Sequence, residues 1–285
     1  MASIDSDIFQ AYRGKAYRLN KGDRVSSLPA AVDYINERGF AFFWPIKGID
    51  LPSLWTAVAG DRPVPSQHDD PGHITWRWKD DSLGQRLWYY AKVLRRKATF
   101  ISLEMAPYFY ALSENYGSPE DDYLISYREG RLTQAAKQIY EALLDRGVLD
   151  TIALREAARL SNARDAEFNR ALEMLQADLK ILPVGVAEAG AWRYAFNYDI
   201  VARFYPQLPV KARSLGEAEA RLRLVECYFR SVGAARKGDV SRLFRWPADI
   251  IERTLSRLTR DGCLVDNLDH PTQPGSWLAL ADLVV

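Results

Sequence analysis

Residues 165–181 read DAEFNRALEMLQADLKI and residues 248–264 read ADIIERTLSRLTRDGCL. Set 83 positions apart, their apolar sites coincide: Phe168 falls on Ile251, Leu172 on Leu255, Leu175 on Leu258 and Ile181 on Leu264, with Asp178 on Asp261. Within each stretch the apolar residues recur three or four positions apart, the period of one helical face. The same offset carries Ala157 to Val240 and Leu160 to Leu243. One spacing kept over this many apolar sites marks a duplicated unit.

Outward from these helices the flanking segments complete the unit. Leu132, Ala136, Ile139 and Leu143 predict a first helix ending near Arg146-Gly147, and Thr151–Leu160 predicts a short second one. Ile181–Val186 and Trp192–Tyr198 read as two strands around the Ala189-Gly190 turn. In the later copy the first helix is Leu215–Ser231, Trp246-Pro247 opens the third, and the strands are Cys263–Asp266 and Trp277–Ala281 around Pro271–Gly275. The order of helix, helix, turn, helix and two-stranded ribbon is that of a winged helix-turn-helix.

The N-terminal part is less regular. A helix over Ala30–Arg38 stops at Gly39, Phe40–Ile46 reads as a buried strand, and Leu51–Ala59 as a short helix. Leu83, Leu87, Tyr90 and Leu94 form a further helical stripe, before a strand at Ala98–Ser102 and a helix through Tyr108–Leu112. Asn115–Gly130 and Pro206–Ser214, rich in turn formers, read as connectors. The expectation is a mainly α protein with small β-wings and tandem winged helix-turn-helix units. Its domains are a modified winged helix over residues 1–117, a second winged helix over 118–206 and a third over 207–285.

Composition limits the partners. The chain has 285 residues, 48% of them apolar, and carries 38 basic against 37 acidic groups for a net charge of +1. That excludes a globally basic nucleic-acid coat, so any polyanion site is a local patch. Cys227 and Cys263 have neither metal spacing nor a disulfide framework. No signal peptide is legible, and apolar runs such as Ala41–Ile46 are too short to span a bilayer. The chain reads as a soluble, cytoplasmic monomer with no membrane contact.

Winged helices place one helix in a major groove and a ribbon against phosphates, which makes duplex DNA the expected partner. The third helix of the middle unit carries Asp165, Glu167, Glu173 and Asp178 against Arg164 and Arg170, and is expected to pack on protein. Residues 211–260 hold twelve basic against six acidic groups, with Arg253, Ser256, Arg257 and Arg260 on or near one side of the last helix: a phosphate-facing surface, or a solvated one. Lys92, Arg95, Arg96 and Lys97 crowd the end of an expected helix whose preceding turns carry Trp88, Tyr89 and Tyr90: either phosphate contacts beside stacking rings, or cations suited to a helix C-terminus over core aromatics. Arg13, Lys15, Arg18, Lys21 and Arg24 form another basic group. In the run from His73 to Asp81, strand alternation puts Trp76 and Trp78 on one face and Arg77 and Lys79 on the other; this is either a wall of a base pocket or core cover, with Asp81 capping the next helix. The candidate DNA contacts are thus Trp44, Trp76, Lys79, Arg86, Lys92, Arg95, Arg96, Arg253, Arg257 and Arg260. His68, Asp69, Asp70 and His73 lie close in sequence but in a proline-rich loop that does not aim them at one ion, so neither a metal nor a cofactor is expected.

The stretch Gly39-Phe40-Ala41-Phe42-Phe43-Trp44-Pro45-Ile46, with tandem winged helices, resembles the YcaQ/AlkZ group of bacterial winged-helix DNA glycosylases. In that group the strand reads roughly Gly-Phe-Val-Gln-x-Asp-Pro-Ile. The resemblance implies a concave surface of three winged helices on duplex DNA, and removal of N7-alkylated purines by the Gln and Asp of that strand. Gly39, Phe40, Pro45 and Ile46 match, but Phe42 stands at the Gln position and Trp44 at the Asp position, and neither activates water. Either the chain is a non-catalytic relative that binds DNA, or the carboxylate has moved to Asp50, Asp80 or Asp81, or the alignment is shifted. An active form would be a metal-independent, monofunctional glycosylase in DNA repair. The alternatives are a winged-helix transcription regulator and a protein-interaction scaffold.

Overall fold

The computed structural model describes residues 3–67, 69–190 and 193–284. Trp192, expected at the start of a wing strand, and His68 lie outside them. In chain order the first elements are α1 Ser6–Ala16, α2 Leu28–Arg38, β1 Phe40–Phe42, α3 Leu54–Ala59, α4 Ile74–Ser82, β2 Tyr89–Ala91, β3 Thr99–Ile101 and α5 Ala106–Ala111. Then come α6 Pro119–Arg128, α7 Gln134–Arg146, β4 Leu149–Asp150, α8 Thr151–Ala157, α9 Asp165–Ala177, β5 Ile181–Ala187, β6 Ala195–Ile200, α10 Val201–Phe204 and α11 Gln207–Ala212. The last are α12 Glu217–Val232, β7 Ala234–Ala235, α13 Lys237–Phe244, α14 Ala248–Arg260, β8 Leu264–Leu268 and β9 Trp277–Leu280. The protein is mainly α with small β-wings.

Two compact units share the chain. One comprises the N-terminal residues through Trp76, Phe100–Met105 and everything from Glu217 onward; the other comprises Arg77–Thr99 and Ala106–Gly216. Each contains a complete winged helix. In the second unit α7, β4, α8, α9, β5 and β6 follow in that order, and the sheet runs β4-β6-β5 with antiparallel pairing. In the first unit α12, β7, α13, α14, β8 and β9 repeat the order, with sheet β7-β9-β8.

Local chemistry sets these boundaries. Thr133 accepts the Ala136 N–H at the start of α7, and Asp150 accepts the Ile152 and Ala153 N–H groups at the start of α8. The apolar stripe of the middle unit closes a core in which Ala136, Ile139, Leu143, Leu154, Leu175 and Ile181 are fully buried. The third helices and first wing strands stand 83 residues apart, as the sequence predicts. The earlier halves do not: the helix-ending Gly147 and Gly233, and the N-caps Asp150 and Arg236, are 86 apart. Leu154, not Ala157, therefore occupies the place of Val240. The link into α9 has seven residues and that into α14 only three, which absorbs the change.

Several expectations are corrected. Residues 74–82 form a helix, not a strand: Asp70 accepts the Gly72 N–H, Pro71–His73 makes a 3-10 turn, and α4 follows directly. Trp76 and Trp78 thus point apart, Trp76 exposed and Trp78 buried, and Asp81 sits inside the helix, not at a cap. The helical stripe expected from Leu83 to Leu94 is absent, because α4 ends at Ser82 and Gly84 turns the chain at φ +83°, where an added Cβ would meet the Val184 carbonyl at 3.0 Å. The strand expected over Phe40–Ile46 stops at Phe42. Both expected connectors contain helix. Pro119 occupies the first turn of α6, where it is tolerated, and Asp122 gathers the N–H groups of Tyr116, Gly117 and Ser118. Leu208, Pro209 and Ala212 of α11 are buried, with α11 packed on α5.

The first unit joins distant parts of the chain. The Ile4 and Asp5 N–H groups donate to Asp269 and Leu283, and α1 and α2 both pack on α12. Cys227 Sγ and Ser231 Oγ of α12 donate to the Arg38 carbonyl at 3.0 and 3.3 Å, next to Gly39, which ends α2 at φ +74°. An added Cβ on Gly39 would lie 2.3 Å from Cys227 Sγ and 3.0 Å from Met105 Cγ. Gly39→Ala therefore combines left-handed strain with a clash and should destabilise the protein by about 2–4 kcal/mol, read as a lower urea midpoint with unchanged m-value.

Candidate nucleic-acid interface

The strand that carries the glycosylase-like motif is interior. Phe40, Ala41 and Phe42 are fully buried. The Phe42 N–H donates to the Pro52 carbonyl at 3.0 Å, and the Trp55 N–H donates to the Phe43 carbonyl at 3.1 Å, which fixes β1 beside the start of α3. Phe42 is thus a core side chain. Trp44 emerges half-buried just past the strand, where Pro45 lacks the N–H to extend it.

Trp44 belongs to an aromatic cluster. Its ring centroid lies 4.2 Å from Phe43, 5.3 Å from Trp55, 5.8 Å from His73 and 6.1 Å from Trp76. Trp76, at 40% exposure, is the part of the cluster most open to solvent. His73 Nε2 lies 3.2 Å from the Pro65 carbonyl. The Arg62 guanidinium sits 5.0 Å over Trp55 and donates to both oxygens of Asp70 at 2.6 and 2.9 Å, holding that carboxyl below its usual range. The fold brings Trp44 and Trp76 together as a candidate stacking surface; Trp55 and Arg62 have no sequence signal, and Asp70 and His73 stand out in the sequence only as candidate metal ligands.

The cations fall into separate groups. In the second unit Lys79 is only 2% exposed, its ammonium 2.6 Å from Asp80 and 2.9 Å from the Tyr194 hydroxyl, with the Phe196 ring 4.5 Å away. Burial pushes its pKa down against the pull of Asp80. As a phosphate contact Lys79 is corrected: it is an interior ion-pair member. Arg86 is exposed and stacks 4.6 Å over Phe204. Lys92, Arg95 and Arg96 share the loop between β2 and β3 with Lys97, and the Lys92 ammonium lies 2.8 Å from Glu173 of α9. The later part of the acidic third helix of the middle unit packs against this loop, whereas Asp165 and Glu167 at its start are exposed.

In the first unit Arg253, Arg257 and Arg260 are exposed on one side of α14. Arg253 pairs with Asp249 at 2.6 Å, Arg257 lies 3.7 Å from Asp261, and the neighbouring Lys237 pairs with Glu252. Such exposed pairs are worth about 0–1 kcal/mol each and yield readily to a phosphate. Further back, Arg13 is spent on Asp50 and Arg18 on Glu37.

The three carboxylates considered for a displaced catalytic role have other engagements. Asp50 accepts two hydrogen bonds from Arg13 at 2.7 and 3.0 Å and one from the Tyr17 hydroxyl at 2.5 Å. Asp80 accepts from Tyr194 and pairs with Lys79. Asp81 is exposed, 3.4 Å from Arg77 one helical turn back. Among the described residues no group of three or more His, Cys, Asp or Glu side chains has the arrangement to hold a metal ion. No described helix is long and apolar enough to cross a membrane.

Comparison with known proteins places this architecture. The Streptomyces sahachiroi DNA glycosylase AlkZ superposes on 98% of this chain and 71% of its own, with a TM-score of 0.58 and 14% sequence identity. At that identity the likeness speaks for the fold alone. No curated protein matches the sequence. A family described as AlkZ-related matches residues 25–245, a span that runs from before α2 to the end of α13. With well over half of its length covered, the chain belongs to the AlkZ-related family.

Proposed function

We propose that this protein binds duplex DNA, in damage recognition or repair, and reads the base by aromatic stacking without hydrolysis from the β1 positions. One observation carries the second half of the reading. Where the glycosylase pattern has Gln and Asp, this chain has a fully buried Phe42 and a Trp44 set in an aromatic cluster. Neither side chain takes or gives a proton to water. An extruded or distorted base, in contrast, gains from indole faces such as Trp44 and Trp76, by about 1–3 kcal/mol per stacked base.

The phosphate contacts of this reading come from Arg253, Arg257 and Arg260 of α14 and from the loop of Lys92, Arg95, Arg96 and Lys97. Arg86 belongs with them as an exposed guanidinium. The family and the fold support DNA as partner, with alkylated purines as the first lesion to test. The protein-interaction scaffold keeps one argument in its favour: Arg253, Arg257 and Lys237 each have an acidic neighbour, and the chain's net charge is only +1.

Fluorescence anisotropy with plain and N7-methylated duplexes, at two salt concentrations and followed by alkaline cleavage, tests the proposal. Salt-sensitive binding without strand breaks is expected; breaks at the methylated base would establish a glycosylase, and no binding at low salt would turn the reading to protein partners. Neutralising Arg253 and Arg257 together, as Gln, should weaken binding and flatten the slope of log K against log salt by about two. An unchanged slope would remove α14 from the interface. Restoring the family's residue by Phe42→Gln should destabilise the fold by about 3–5 kcal/mol, since an amide replaces a buried ring. Urea denaturation reads this directly, and a loss under 1 kcal/mol would show that the site tolerates the catalytic residue.

A further inference from the structure

The loop between β2 and β3 concentrates strain and charge. Arg95 and Arg96 are consecutive residues with left-handed backbone, at φ +57° and +54°, a conformation that L side chains disfavour. Inside the loop, the Lys97 N–H donates to the Leu94 carbonyl at 2.9 Å, the Thr99 hydroxyl donates to the Lys97 carbonyl at 2.7 Å and the Leu94 N–H donates to that hydroxyl at 3.3 Å. Arg96 and Lys97 face solvent.

Helix α9 holds the loop from outside. Gln176, 3% exposed, accepts the Lys92 N–H on Oε1 at 3.1 Å and donates from Nε2 to the Leu172 carbonyl at 3.2 Å, which fixes which way its amide points. One turn earlier Glu173 takes the Lys92 ammonium at 2.8 Å. Beyond the helix, Asp178 carries the influence of Arg96, Lys180 and Arg131, and burial raises its pKa. The face of α9 that meets the loop is thus matched to it in charge and hydrogen bonding.

We propose that α9, the groove-reading helix by topology, serves instead as a brace that presents Arg96 and Lys97 to the phosphodiester backbone, with Gln176 and Glu173 as positioning residues. This rests on the DNA-binding reading above. Gln176→Leu changes no charge, so any effect on DNA affinity must pass through the loop. Its expected result is a threefold to tenfold loss of affinity for plain duplex, at about one hydrogen bond's worth, with no change in salt slope. In an Arg96→Gln, Lys97→Gln background, the same substitution should cause no further loss. Trypsin should nick the DNA-free variant faster after Arg95, Arg96 or Lys97 than the wild type. Glu173→Gln is a half-exposed second variant; it frees the Lys92 ammonium, so it is read by proteolysis, with faster nicking of the loop expected.

An equal loss in both backgrounds, or no loss while the wild type binds, overturns the brace. So does a nicking rate in Glu173→Gln equal to that of the wild type. If the wild type fails to bind at low salt, the DNA reading falls, and the proteolysis alone judges the loop: equal nicking rates overturn the positioning role.

Discussion

The α2–β1 junction is the point on which the first unit turns. Here a backbone with no side chain, Gly39, lets α12 come close enough for Cys227 and Ser231 to donate to the Arg38 carbonyl. The Arg38 guanidinium returns the contact by donating to the Arg230 carbonyl at 2.9 Å, and the Tyr12 hydroxyl shares that acceptor at 2.6 Å. Three distant segments of the chain are thereby tied by hydrogen bonds, and at the buried ones loss of one partner leaves the other unsatisfied away from water. β1 starts at the next residue, so the position of Trp44 and its aromatic neighbours is inherited from this contact.

The same close packing accounts for the apolar residues of β1 at the glycosylase-like motif. Phe42 fills interior volume, and the strand's backbone still pairs with the segment before α3. A catalytic amide there would need partners that the apolar surroundings do not offer. Trp44, one step beyond the strand, escapes that constraint. The AlkZ-like fold is thus kept with an apolar side chain inside β1 and an indole just past it.

Much of this was legible in the sequence where periodicity is unambiguous. The helices α9 and α14 and the start of each wing follow from one offset, because core packing tolerates no slip within a helix–strand unit. The change of offset ahead of them was not legible, since link length leaves no apolar trace. In α4, tryptophans two apart mimic a strand face, although Asp70 and Pro71 carry the signature of a helix start. Pro119 and its following acids looked like a connector and are a stabilised first turn. At the candidate site, Lys79 read as a surface cation because its partners Tyr194 and Phe196 come from a distant hairpin. The meeting of Trp44 with Trp76 was likewise a property of the fold and not of any local pattern.

The interleaving of the two units has a consequence for how the chain is made. As it leaves the ribosome, the segment through Trp76 emerges first and Phe100–Met105 follows, but the rest of that unit begins only at Glu217. The unit between them has all its parts available by Gly216 and is free to fold while synthesis continues. Meanwhile the faces of α1 and α2 that pack on α12 wait uncovered through the translation of an entire winged helix. The long loop that must then close makes the first unit the slower one to form. Nascent chains stalled before residue 217 would carry that surface exposed, as natural clients of chaperones.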